Sequence, residues 1–214
     1  MPEATIVIPA YNEEKNIRQV LTRIKKISGK YEIVVVDDGS SDRTAQIAKK
    51  EGANVLSFGK NRGKSAACIA GARKARSGKI VFIDADLQLM PEEIPKFVKA
   101  LDTCDLAIGV RNMGSIPVQR RMANAIARKM LPNRKDISDV LCGFRAMRKR
   151  KFEELELKGS RYEFEFEMLL GAIKKKFKIS QIPVRVSYEN YRGMSPLNSL
   201  KLLLFILKNG QVVP

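Results

Sequence analysis

Lys79-Ile80-Val81-Phe82-Ile83-Asp84-Ala85-Asp86-Leu87-Gln88 is an apolar, β-branched run that breaks abruptly into two carboxylates. Such a run predicts a strand over residues 79–84. Working outward, similar runs predict strands over 5–9, 32–37, 54–57 and 105–109. Helical patterns fall between them, over 13–27, 44–51, 64–75 and 91–101. The last is opened by Pro91 at a first-turn position and followed by acidic Glu92 and Glu93. Strand–helix alternation is the signature of βαβ units, so the expected class is α/β: a mostly parallel central sheet flanked by helices, in a single domain. Beyond residue 109 the pattern changes to a basic helix over 118–131, a short strand over 143–147, a helix over 163–175 and a strand over 179–186. No repeat or long linker separates the halves, which suggests that the second completes a site begun by the first.

Composition narrows the chemistry. The 214 residues contain no histidine, which excludes Ser-His-Asp, Cys-His and His-ligated metal mechanisms. Forty Lys+Arg against 23 Asp+Glu give a formal charge of +17, which calls for anionic company: nucleotides, nucleic acid or an anionic membrane surface. Cys68, Cys104 and Cys142 form no CxxC pair and read as reduced, partly buried thiols. The N-terminus reads as lacking a signal peptide. Residues 197–207 are apolar but interrupted by Asn198 and Lys201, short of the roughly 20 residues that a membrane-spanning helix needs.

Three predicted strands end in polar clusters: Pro9-Ala10-Tyr11-Asn12-Glu13, Asp37-Asp38-Gly39-Ser40 and Asp84-Ala85-Asp86-Leu87-Gln88. In an open α/β sheet, ligands bind beyond the carboxyl ends of the strands, so the three clusters are expected to share one crevice. Asp84 and Asp86, with Gln88 as a neutral oxygen donor, suit a hard divalent cation that shares its shell with phosphate oxygens. The plainer alternatives are that Asp84 and Asp86 cap the helix near Pro91, and that Ser40 or Asp42 caps the helix after the second cluster. Neither GxGxxG nor GxxxxGK[ST] occurs, so a diphosphate would have to be held by metal and by Arg or Lys.

Together, Ile6-Val7-Ile8-Pro9-Ala10-Tyr11-Asn12-Glu13, Val34 through Thr44, Asn61-Arg62-Gly63-Lys64 and Asp84-Ala85-Asp86-Leu87-Gln88 resemble the ordered blocks of family 2 glycosyltransferases of the GT-A (Rossmann-like) fold. Ile108-Gly109-Val110-Arg111, Asp139 through Arg145 and Tyr191-Arg192-Gly193-Met194-Ser195 resemble the dolichyl-phosphate mannose synthase branch. The resemblance implies that Pro9, Tyr11, Glu13, Val36 and Asp38 cradle the nucleoside. Asp84, Ala85, Asp86 and Gln88 would hold the sugar diphosphate and its Mg²⁺ or Mn²⁺. Arg111, Arg120 (or the adjacent Arg121) and Arg192 would contact the acceptor phosphate or the donor. Met194-Ser195-Pro196 departs from the usual Ser-Lys ending of that last loop.

The expected activity is inverting transfer of a hexose, mannose from GDP-mannose or glucose from a UDP donor, to a polyprenyl (dolichyl) phosphate. A lipid phosphate is already anionic near neutral pH and needs no base, and arginine suits it by binding phosphate bidentately. Asp139 is either a base for a hydroxyl acceptor, which is the rival reading, or a structural partner for an arginine or a sugar hydroxyl. A non-catalytic nucleotide or nucleic-acid module is the rival of another class, poorly supplied with stacking groups at 7% aromatics. On the helix over 118–131, Val118, Met122, Ala125 and Ile126, with Lys129 at the same spacing, describe an amphipathic helix with a basic face. Residues 1–195 are expected to form the catalytic domain and 196–214 an amphipathic helix. Its Leu197, Leu200, Leu203, Leu204 and Leu207 would lie on a membrane or pack on the sheet. The expected location is cytoplasmic, in peripheral contact with the anionic inner face of the membrane.

Overall fold

The computed structural model describes residues 1–131, 134, 136–157 and 164–187. Arg192 and the expected helix over 196–214 lie outside the described residues. In chain order the first half runs β1 (Ala4–Ala10), α1 (Ile17–Lys25), β2 (Tyr31–Asp37), α2 (Thr44–Lys50), β3 (Asn54–Ser57), α3 (Lys64–Lys74) and β4 (Lys79–Phe82). A 3₁₀ turn at Pro91–Glu93 leads into α4 (Ile94–Ala100), followed by β5 (Leu106–Arg111), α5 (Val118–Lys129), β6 (Arg145–Arg148), α6 (Lys149–Glu153), α7 (Phe164–Lys174) and β7 (Ile179–Val184).

The described strands join in one seven-stranded sheet of order β3-β2-β1-β4-β6-β5-β7. Its pairs are parallel except where β6 meets β4 and β5. The expected α/β class with a mostly parallel sheet is what the structure has. Because side chains alternate across a strand, Ile6 and Ile8 join one apolar layer with α1 and α4, while Val7 joins the other with α3 and α7. The rings of Phe97 and Phe144 stack at 4.1 Å in the first layer; Phe82 and Phe164 meet edge-on at 5.0 Å in the second. Gly71 lets α3 lie close against the sheet, since a Cβ there would fall 2.4 Å from Val7 Cγ1.

Two expectations need correction. The helix predicted over 13–27 begins only at Ile17; ahead of it the amides of Glu13 and Glu14 donate to Thr44 Oγ1 (2.8 Å) and Asp42 Oδ2 (3.1 Å). Those two bonds tie the end of β1 to the start of α2. The helix α5 is turned differently from its apolar spacing: Val118 (54% exposed) and Met122 (60%) face outward, and Asn124 and Ala127 are its buried residues. Polar pinning sets that rotation. Asn124 donates to Ser138 O (3.0 Å) and accepts from the Val140 amide (2.7 Å). The five-residue α6 was not expected, being too short to carry a period.

Candidate active site

Parallel pairing with β1 in the middle brings the carboxyl ends of β1, β2 and β4 side by side: Ala10 lies opposite Asp37, and Val7 opposite Phe82. The loops that follow are laced together. The Asn12 amide donates to Ser40 Oγ (2.9 Å), and Asn12, at φ 55°, accepts from the Ser41 amide (2.9 Å). Asp42 accepts from the Thr44 amide at the start of α2 (2.9 Å), the capping role read for Ser40 or Asp42. Tyr11 stands 48% exposed at the mouth. Pro9 pairs with Val36 across the sheet, and Val36 is completely buried against Ala67 and Val34, so it forms floor rather than surface.

Asp38 is buried, and its oxygens accept from the amides of Arg62 (2.7 Å) and Gly63 (2.8 Å). It therefore fastens the Asn61-Arg62-Gly63-Lys64 turn that begins α3. Each carboxylate oxygen keeps a second lone pair, so this duty leaves room for a ligand hydroxyl.

Asp84, Asp86 and Gln88 follow β4 together. Leu87 between them sits at φ 61°, a strained conformation for a bulky side chain, in the turn where the Gln88 amide reaches back to Asp86 Oδ1 (3.0 Å). Leu87 and Ala85 are buried in the core, and Leu89 bridges to Val186, which together hold that turn. Burial, and next the charge of Asp84, raise the Asp86 carboxyl above its ordinary range. A carboxylate pair in mutual repulsion is a donor set that a divalent cation relieves. Among the described residues no group of three or more His, Cys, Asp or Glu is arranged to hold a metal. The pair thus fits a cation that draws the rest of its shell from diphosphate and water.

Gln88 Oε1, expected as a third ligand, accepts from Arg120 Nη1 (3.1 Å). Of the two neighbouring arginines, Arg120 faces the acidic cluster and Arg121 is exposed. Arg111, at the end of β5, is buried and paired with Asp139: Nε to Oδ2 at 2.7 Å and Nη2 to Oδ1 at 2.9 Å. The amides of Arg111 (3.1 Å) and Leu141 (3.3 Å) complete four donors on a fully buried carboxylate. Of the two roles held open for Asp139, the structure supplies the arginine partner.

Sequence reasoning gave no role to Lys64, Glu165 and Arg145. Lys64 Nζ lies 2.5 Å from Asp84 Oδ1 and 2.6 Å from Glu165 Oε1. Burial works to lower its pKa, but the two carboxylates outweigh it and hold the ammonium above its ordinary range. Arg145, wholly buried at the start of β6, donates to the carbonyls of Cys142 and Val140, and burial lowers its pKa. All three cysteines are free and buried, Cys68 and Cys142 completely, rather than the partly buried thiols expected. Burial pushes the Cys142 thiol up to about 12 and that of Cys68 well above its usual value, which leaves both inert.

Residues 5–156 match the profile of "Glycosyl transferase family 2", and the chain belongs to that glycosyltransferase family. Among its relatives is an uncharacterised protein of Methanocaldococcus jannaschii, 34% identical over 96% of this chain and 91% of its own length. The dolichol-phosphate mannosyltransferase of Pyrococcus furiosus is 36% identical over 85% of this chain; the match spans 55% of that relative's length. Among solved structures, glucosyl-3-phosphoglycerate synthase of Mycobacterium tuberculosis superposes over 100% of this chain and 81% of its own, with a TM-score of 0.83 at 22% identity. That likeness speaks for the GT-A-type fold. Among the described residues no helix is long and apolar enough to cross a membrane.

Proposed function

We propose that the protein moves a hexose from a nucleoside-diphosphate donor to a polyprenyl phosphate, with inversion at the anomeric carbon. The observation that carries this reading is the commitment of Asp139 to Arg111: the acid read from the sequence as a base for an acceptor hydroxyl is fully buried under four donors. An acceptor that arrives as an anion needs no such base. The name of the Pyrococcus relative supports the same acceptor class and mannose as the sugar.

In this reading Pro9, Tyr11, Glu13 and Asp38 line the nucleoside, over a floor of Val36. Asp84, Asp86 and Gln88 face the sugar diphosphate, and Ala85, expected beside them, is packed into the core beneath. Asp84 and Asp86 would hold Mg²⁺ or Mn²⁺, which when bound neutralises charge on the departing diphosphate. Arg120, tethered to Gln88, and Arg111, held rigid by Asp139, present positive charge to the acceptor phosphate, and Arg192 is proposed to join them. The outward Val118 and Met122 beside Arg121 suit the acceptor's apolar chain and an anionic membrane surface, in peripheral contact.

Transfer of labelled sugar from GDP-mannose and UDP-glucose to a short polyprenyl phosphate, with Mn²⁺, Mg²⁺ or EDTA, tests the reading. Metal-dependent product lost in Asp86→Ala is expected. Donor binding without lipid product from either nucleotide sugar sinks the lipid-phosphate acceptor.

A further inference from the structure

We propose that Lys64 is a positioning residue that occupies a cation's place at Asp84 and so makes entry of the divalent ion depend on the nucleotide diphosphate. The inference rests on the metal reading of Asp84 and Asp86 given above. Lys64 is the first residue of α3, delivered by a turn whose Arg62 and Gly63 amides are fastened to Asp38. Its ammonium is therefore fixed at its base as well as at its tip. At the tip it bridges Asp84 Oδ1 and Glu165 Oε1, and Glu165 is a buried residue of α7. The other oxygen of Asp84 faces Gly143, where a Cβ would fall 2.4 Å from Oδ2 and 3.0 Å from Lys64 Nζ. The ion pair is thus closed in from α3, α7 and the segment before β6, and its side chains remain only about a quarter exposed (26% for Lys64, 28% for Asp84).

Such a site is already partly neutralised. A divalent ion arriving alone at Asp84 and Asp86 meets a fixed positive charge in contact with one of its two ligands, in surroundings where charges act more strongly than in water. A diphosphate arriving with it restores the negative charge and supplies further oxygens. Metal and nucleotide are then bound synergistically, and Lys64 sets the coupling.

Mn²⁺ binding to the full chain is followed by the electron paramagnetic resonance of the free ion, without nucleotide, with GDP and with UDP. Wild type is expected to bind Mn²⁺ weakly alone and at least about tenfold more tightly with one of the diphosphates. Lys64→Gln should bind Mn²⁺ alone about tenfold more tightly than wild type and lose most of the nucleotide dependence. Lys64→Arg should keep that dependence. Glu165→Gln leaves the ammonium to Asp84 alone and should weaken nucleotide-free binding further. A folded Lys64→Gln with affinity equal to or below wild type overturns the proposal, since a merely structural lysine would lower affinity on removal. Should that variant fail to fold, unchanged or tighter Mn²⁺ binding by Glu165→Gln overturns it instead. Wild type that binds no Mn²⁺ even with GDP or UDP removes the metal reading, and this inference with it.

Discussion

Arg111 and Asp139 form a bidentate ion pair in which both side chains are buried, the carboxylate completely. Removing one partner of such a pair strands the other charge. Asp139→Ala is expected to cost about 3–5 kcal/mol of stability, whereas the double replacement Arg111→Met with Asp139→Leu should recover most of it. Urea unfolding separates the two cases. Transfer activity should stay lost in the double variant, because Arg111 is proposed to face the acceptor phosphate. Full activity in the double variant would leave the pair a purely structural role.

Asn124 and Met122 share α5 yet should respond oppositely. Asn124→Ala leaves the Val140 amide and Ser138 carbonyl without their partner, a loss of about 1–3 kcal/mol, and loosens the segment that holds Asp139. Met122→Ser, at an exposed position, should change stability by less than about 0.5 kcal/mol. Reversed magnitudes in thermal melts would put α5 in the orientation its apolar spacing suggests.

Gly143→Ala tests how tightly the segment before β6 covers Asp84. The added methyl would collide with Asp84 Oδ2, so the carboxylate must shift. Diphosphate-assisted Mn²⁺ binding should fall by at least about tenfold, the equivalent of about 1.4 kcal/mol. Calorimetric titration at constant nucleotide checks this; an unchanged affinity would mean that Asp84 is not a ligand.

Glu92 gives a pH signature away from the site. It accepts from Arg23 Nε (2.7 Å) and Nη2 (2.6 Å), and these bonds hold its carboxyl below the ordinary range. A depressed folded pKa contributes stability that is present above the unfolded value and lost as pH falls through the folded one. The pair is partly exposed, so Glu92→Gln should cost only about 0.5 kcal/mol at pH 7. By about pH 3 the difference from wild type should shrink toward zero, as denaturant titrations at both pH values would show.

The strands β1, β2 and β4 were legible because each is rich in β-branched apolar residues, and the polar clusters that follow them mark the crevice. Asp84 and Asp86 stand out in a sequence because they lie two residues apart at the end of an apolar run. Lys64 and Glu165 do not: their meeting at Asp84 depends on packing α3 and α7 on the same face of the sheet, which leaves no local period. Glu165 is masked within the apolar run Phe164-Glu165-Phe166, where it looks like an edge of the helix. The rotation of α5 was misread for the opposite reason. A clear apolar spacing was present, but hydrogen bonds from Asn124 and Arg120 decided which side turned inward.

The strand β6 lies between β4 and β5 although it follows both in the chain. A chain synthesised only as far as β5 therefore has β3, β2, β1 and β4 but lacks residues 145–148, the strand that covers the edge of β4. The strand β5 reaches β4 only through β6, and Gly143 and Glu165, which meet the Lys64–Asp84 pair, also follow β5 in the chain. A chain that stops short of β6 thus carries the acidic pair without Gly143 and Glu165, the two residues that close in the lysine bridge.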